Sequence, residues 1–237
     1  MTDEAKVTTV ISDFGGVLTT PLVQSFAAVQ DETGIPFEEL GKAMAAIAEQ
    51  DGKHPLFELE TGKLTEAEFL QKLGDTLKPQ LGHRPELHRF REIYFDALHP
   101  NEPMIELMRE AKGSGFRMGL LTNNVREWEP LWRTMLPVDE IFEVVVDSGF
   151  VGCRKPDREI YDLTLERMGG PNPGECLFID DTDVNCETAR ALGMSAPQPH
   201  GSRGFSFQSW LTCCQALATA TLHHPTWGGR LVRCCLT

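Results

Sequence analysis

The sequence has no apolar run approaching the ~20 residues needed to cross a bilayer, which argues against a membrane-spanning protein. Basic clusters are missing too. Its 22 Lys and Arg face 35 Asp and Glu, a formal net charge of −13. A chain this acidic repels nucleic acid and anionic membrane surfaces, so neither is expected as a partner. The 7 cysteines are odd in number and lack the C-x2-C spacing of structural zinc sites, so neither a disulfide scaffold nor a zinc module is indicated. There is no low-complexity segment and no internal repeat. The opening residues, Met-Thr-Asp-Glu-Ala-Lys, are acidic and lead into no apolar signal core. The expectation is a cytoplasmic protein with reduced thiols. With 41% hydrophobic and 24% charged residues the composition is that of an ordinary globular protein. A length of 237 residues suits one domain, or one domain carrying an insert.

One absence is local. Residues 197–237 contain no Asp or Glu, and their only basic residues are Arg203, Arg230 and Arg233. This stretch holds the adjacent pairs Cys213, Cys214 and Cys234, Cys235, together with His223 and His224. Adjacent cysteines chelate poorly, so a metal module is disfavoured. An appended, poorly folded tail is expected.

What is present follows a strand-then-helix grammar. Short, nearly continuous apolar runs at residues 7–12, 116–121, 141–146 and 176–179 suit strands buried on both faces of a parallel sheet. Helical patterns separate them at 103–112, 127–135, 157–168 and 184–192. The expected fold class is α/β, a Rossmann-like open parallel sheet with right-handed crossovers. Residues 22–98 break the grammar. They read as amphipathic helices over 22–32, 37–50, a segment opened by a Thr65/Glu68 capping box, and 85–96. The expected organisation is a core of residues 1–20 and 99–196, with a helical cap inserted at 21–98 over the sheet's carboxyl edge. After Gly193-Met194 a further edge strand is opposed by Pro197 and Pro199, leaving either a sheet one strand short or a stub at Ser195–Ala196.

In an open α/β sheet, ligands bind beyond the carboxyl ends of the strands. Here those ends present Asp13, Thr122-Asn123-Asn124 and Asp180-Asp181. Three carboxylates at one edge raise one another's pKa unless a cation sits among them. A hard divalent ion with oxygen ligands answers this, and Mg²⁺ suits two carboxylates plus waters and a substrate phosphate. Thr122 and the N–H groups after it, at a helix start, would cradle an anion. Pro156 fits the first turn of the next helix, leaving Lys155 as a compact cation for the same site. Each feature alone has an ordinary explanation: Asp13 could cap a turn, Asp180-Asp181 could cap a helix, and Thr122-Asn123-Asn124 could be a plain turn. Trp128 and Trp132, at i and i+4, are read as packing rather than as a substrate platform.

Taken together, Asp13-Phe14-Gly15-Gly16-Val17-Leu18, Leu121-Thr122-Asn123-Asn124, Arg154-Lys155-Pro156-Asp157 and Phe178-Ile179-Asp180-Asp181 with Asn185 make the chain resemble the haloacid dehalogenase superfamily. The branch it resembles carries a helical cap after the first strand, as in epoxide hydrolase N-terminal phosphatases and glucose-1-phosphatase-like enzymes. The resemblance covers about residues 7–194 and implies a Mg²⁺-dependent phosphatase acting on a small phosphorylated metabolite. It implies that Asp13 forms an aspartyl-phosphate that water then hydrolyses. Asp13, Asp181 and the carbonyl of Gly15 would hold Mg²⁺, with Asp180 and Asn185 supporting them from behind. Thr122 and Asn123 would hold phosphate oxygens, and Lys155 would offset the charge of nucleophile and phosphate.

Gly15 departs from the pattern, because many family phosphatases carry a second Asp there as general acid and base. That role is worth about 10²–10⁴-fold, or roughly 3–5 kcal/mol of barrier. Its loss points to a substrate with a good leaving group, such as an anomeric, acyl or aryl phosphate. Two other readings compete: a metal-independent 2-haloacid dehalogenase-type hydrolase, disfavoured by the paired acids Asp180-Asp181, and a non-catalytic binding module that keeps the fold.

Overall fold

The alternation of side chains along a strand explains why the apolar runs are continuous. In the computed structural model, which describes residues 7–197, the runs form β1 (Thr9–Ser12), β2 (Arg117–Thr122), β3 (Val144–Asp147) and β4 (Cys176–Ile179). All pair in parallel, in the order β3-β2-β1-β4. Val10, Leu120, Leu177 and Ile179 turn to one face and pack on Met104, Ile105 and Trp132. Ile11, Leu121, Val146 and Phe178 turn to the other and pack on Ile160 and Tyr161. Both faces are covered, so apart from Thr9 and Arg117 at the amino ends of β1 and β2, polar residues appear only at the carboxyl ends.

Between β1 and β2 run α1 (Leu22–Thr33), α2 (Phe37–Asp51), α3 (Pro55–Glu60), α4 (Glu66–Leu81), α5 (Phe90–Asp96) and α6 (Glu102–Gly113). The α1–α5 segment has an apolar cluster of its own, including Val29, Leu40, Leu59, Phe69, Leu73, Leu77, Phe90 and Tyr94, which Val125 joins from beyond β2. The capping box forms as expected: the Glu68 N–H donates to Thr65 Oγ1 at 3.3 Å and the Thr65 N–H to Glu68 Oε2 at 2.9 Å. Next come a 3-10 turn at Arg126–Trp128, α7 (Glu129–Trp132) and α8 (Val138–Ile141), then β3 and α9 (Ser148–Val151), α10 (Arg158–Arg167), β4 and α11 (Asp183–Ala191). Among the described residues no helix is long and apolar enough to cross a membrane.

Several local expectations are corrected. The helix expected over 127–135 is broken, because Pro130 has no N–H to donate and fits only the first turn, so α7 starts afresh at Glu129. The strand expected over 141–146 begins only at Val144; Val138, Ile141 and Phe142 have helical spacing, and α8 buries them. The helix expected over 85–96 forms only from Phe90, and α3 was not anticipated. Pro156 stands ahead of Asp157, the N-cap of α10, and not in the helix's first turn. Ser195 makes a single parallel bridge to Leu177, so the stub is the alternative realised. Both Trp128 and Trp132 pack into the cores as expected, Trp132 fully buried. From residue 198 onward, the expected tail lies outside the described residues.

Candidate active site

The ladder between β1 and β4 runs one step past the strands. The Asp13 N–H donates to the Ile179 carbonyl at 2.8 Å, so Asp13 and Asp180-Asp181 leave the sheet side by side. The chain must then turn without touching its neighbour. Gly16 does so at φ 73°, and a β-carbon there would collide with the Asp181 carboxyl, so position 16 requires glycine on both counts. One oxygen each of Asp13, Asp180 and Asp181 can be chosen so that all lie within 4.8 Å of one another.

The Lys155 ammonium enters this cluster, 2.8 Å from Asp13 Oδ1 and 2.6 Å from Asp180 Oδ2. Its side chain is 1% exposed. Burial alone would pull the ammonium's pKa down, but the carboxylates of Asp13 and Asp180 outweigh it and hold Lys155 charged. Burial, helped by Asp180 and Asp181 and opposed by Lys155, pushes Asp13 up to about 8. Burial and then Asp180 raise Asp181 to about 6. One ammonium is too little positive charge for three crowded carboxylates. The donors are all oxygen, which suits a hard divalent cation such as Mg²⁺.

Asp180 is consumed by structure. Its carboxylate accepts from Lys155, from the Thr182 N–H at 2.9 Å and from Asn185 Nδ2 at 3.0 and 3.1 Å. Asn123 is likewise engaged: its Oδ1 accepts the Lys155 N–H at 2.8 Å and its Nδ2 donates to the Lys155 carbonyl at 2.9 Å. This two-way clasp fixes the lysine loop against the end of β2. Asp13, Gly15, Asn123, Lys155, Asp181 and Asn185 all line one cavity of about 770 Å³. Thr122, buried at the end of β2 beside Asp147, lines an adjoining cavity instead.

Sequence reasoning missed what the helical segment adds. Glu60 reaches from α3 to Arg154 Nε at 2.6 Å, and the Arg154 guanidinium lies 4.1 Å from the centre of the Phe57 ring. Burial raises the Glu60 carboxyl against the pull of Arg154. Pro55, a natural first-turn residue, was the available signal for α3. Gly15 is also explained locally: a β-carbon on it would lie 3.1 and 3.2 Å from Leu22 Cδ1 and Cδ2 of α1.

The chain is similar to known proteins over most of its described residues. The family model described as haloacid dehalogenase-like hydrolase matches residues 7–193. A phosphatase of Mycobacterium tuberculosis is 30% identical over 196 residues, covering 81% of this chain and 86% of its own. Mouse bifunctional epoxide hydrolase 2 is 25% identical over 197 residues, covering 77% of this chain; the chain spans only 34% of that relative's length. Among solved structures, a HAD family enzyme of Bacteroides thetaiotaomicron in complex with magnesium matches with a TM-score of 0.62 and 21% identity, covering 87% of this chain and 98% of the other.

Proposed function

The chain belongs to the haloacid dehalogenase-like hydrolase family, and from that premise we propose that it is a Mg²⁺-dependent phosphatase of a small phosphorylated metabolite, with Asp13 as nucleophile. The observation that carries the reading is Lys155: a buried ammonium 2.8 Å from Asp13, in a cluster of three carboxylates at adjoining strand ends. A dehalogenase needs no such cluster of acids.

In this reading Asp13 Oδ attacks phosphorus, the bond from phosphorus to the ester oxygen breaks, and the organic part leaves as an oxyanion that takes its proton from solvent, because Gly15 has none to give. Lys155 aligns the Asp13 carboxylate and favours its ionised form against the burial that raises its pKa, and its charge opposes the repulsion between carboxylate and phosphoryl oxygens. Asp13, Asp181 and the Gly15 carbonyl would hold Mg²⁺, which when bound neutralises charge on the transferring phosphoryl group. Asp180 and Asn185 hold Lys155 and the Asp181 loop from behind. Asn123 fixes the lysine loop through its side chain, so its share in holding phosphate falls to its backbone N–H, and Thr122 Oγ1 would reach the phosphate only from the adjoining cavity that it lines. Water then attacks phosphorus and the bond to Asp13 breaks, returning the carboxylate. These steps are mostly positioning and electrostatics, as phosphoryl transfer requires. Residues 21–98 act as the cap, and the Glu60–Arg154 pair ties the cap to the lysine loop.

The test is a panel of phosphate esters, including p-nitrophenyl phosphate, assayed with Mg²⁺ and with chelator, beside Asp13→Asn. Mg²⁺-dependent phosphate release lost in Asp13→Asn is expected. Release that survives the substitution would overturn the role of Asp13, and chelator-insensitive halide release from haloacids would favour the dehalogenase reading.

A further inference from the structure

The polar cavity has an apolar neighbour. A second cavity of about 340 Å³ lies between the helical segment and the loops after β1 and β2, walled by residues such as Phe26, Met44, Leu70, Tyr94 and Trp128. Apart from Glu60, Glu66 and the strand end at 122–124, its walls are hydrocarbon and aromatic ring. Gly15, Leu22, Glu60 and Asn123 line both cavities. The two therefore adjoin at the residue that follows the nucleophile loop's first turn, next to Asp13.

From this we infer that the substrate is an amphiphile: a phosphate ester whose organic part is an extended apolar chain, seated in the cavity bounded by α1, α2, α4 and α5. The inference rests on the phosphatase reading for the polar end and on the cavity for the other. Ligand pockets run to about 300–1,000 Å³, with apolar walls and a few polar groups that fix orientation. Here Glu60 and Asn123 line both cavities, while Glu66 is engaged by Trp128 Nε1 and Arg91, so a bound chain is oriented with its phosphate toward Asp13 and Lys155. Gly15 is part of the same design. With Leu22 already 3.1 Å from where its β-carbon would be, any side chain at position 15 would press on the shared wall and narrow the junction. Glycine at position 15 thus leaves a passage for the chain, and the good leaving group that the absent acid calls for is then part of the same substrate. Glu60 stays at the rim because Arg154 engages it, which keeps its charge out of the apolar interior.

The test separates tail binding from catalysis. Titration calorimetry with non-hydrolysable n-alkyl phosphonates (ethyl, butyl, hexyl, octyl) and Mg²⁺ reads the chain's contribution directly. Burial of one methylene corresponds to about fourfold in affinity, so Kd is expected to fall about fourfold per added carbon until the cavity is full. A Kd independent of length would overturn the inference. Leu70→Trp, which fills the cavity from its wall, is expected to abolish the length dependence while its circular dichroism matches the parent; a variant that keeps the full dependence would overturn this placement. If Leu70→Trp fails to fold, Met44→Trp on α2 gives the same reading. Length-dependent binding without turnover of any phosphate ester, p-nitrophenyl phosphate included, would support the tail site and defeat the phosphatase reading. Turnover of p-nitrophenyl phosphate with flat phosphonate binding would do the reverse.

Discussion

Removing the Lys155 ammonium is the sharpest perturbation the structure offers. Lys155→Met keeps most of the side-chain volume and deletes the charge that lies 2.8 Å from Asp13 and 2.6 Å from Asp180. The Asp180 side chain is fully buried and Asp13 nearly so, so neither gains compensating water. Breaking a buried pair by removing one partner costs about 3–5 kcal/mol. For a chain of this size each kcal/mol lowers Tm by about 2–4 °C, which predicts a fall of about 6–20 °C in the presence of chelator. The origin of the loss is checked by a cycle with Asp180→Asn. If the cost is the stranded carboxylate, the double variant is more stable than the sum of the singles by about 0.5–3 kcal/mol. Urea unfolding with chelator at neutral pH measures all four proteins. A Lys155→Met variant within about 0.5 kcal/mol of the parent, the range of ordinary surface substitutions, would refute the reasoning. So would strictly additive singles, because the ammonium would then not be what makes the three acids tolerable together.

Other outcomes follow from neighbouring groups. Burial raises the Asp147 carboxyl to about 6, against the pull of the Gly149 N–H; its Oδ2 has no hydrogen-bond partner, and neither does Trp132 Nε1. The folded state then binds this proton more tightly than the unfolded chain does, so stability should fall by up to about 3 kcal/mol as pH rises from about 4 past 6, and Asp147→Asn should remove that slope in urea titrations at several pH values; parallel curves for the two proteins would contradict it. Arg154→Ala loses both the 2.6 Å bond to Glu60 and the contact with the Phe57 ring, so it should cost more than Glu60→Gln, for which about 1.5–3 kcal/mol is expected; equal costs by chemical denaturation would show that the ring contact contributes nothing. Gly16→Ala puts a β-carbon into the Asp181 carboxyl at positive φ, so the Mg²⁺ concentration for half-maximal activity should rise at least tenfold; an unchanged titration would separate Asp181 from the metal site.

Much of the site was legible because chemistry and topology share one rule. A parallel sheet with both faces buried admits polar residues only where strands end, so Asp13, Thr122 and Asp180-Asp181 stood out against runs of Val, Ile, Leu and Phe. What misled was local helix and strand propensity near proline. Residues 141–142 look like strand, yet the spacing of Val138, Ile141 and Phe142 is what burial used.

By itself, then, the sequence determined the α/β class, the strand ends and the acids and lysine that occupy them, because period-2 burial and turn chemistry act over a few residues. Only the tertiary structure decided that Asn123 clasps the lysine loop, that Glu60 reaches Arg154 across 94 positions of chain, and that the space above Gly15 belongs to Leu22. The first two contacts join segments far apart in the chain, and the third depends on where α1 lies over the nucleophile loop; which of them form depends on how whole helices pack, a property that no short window of residues contains.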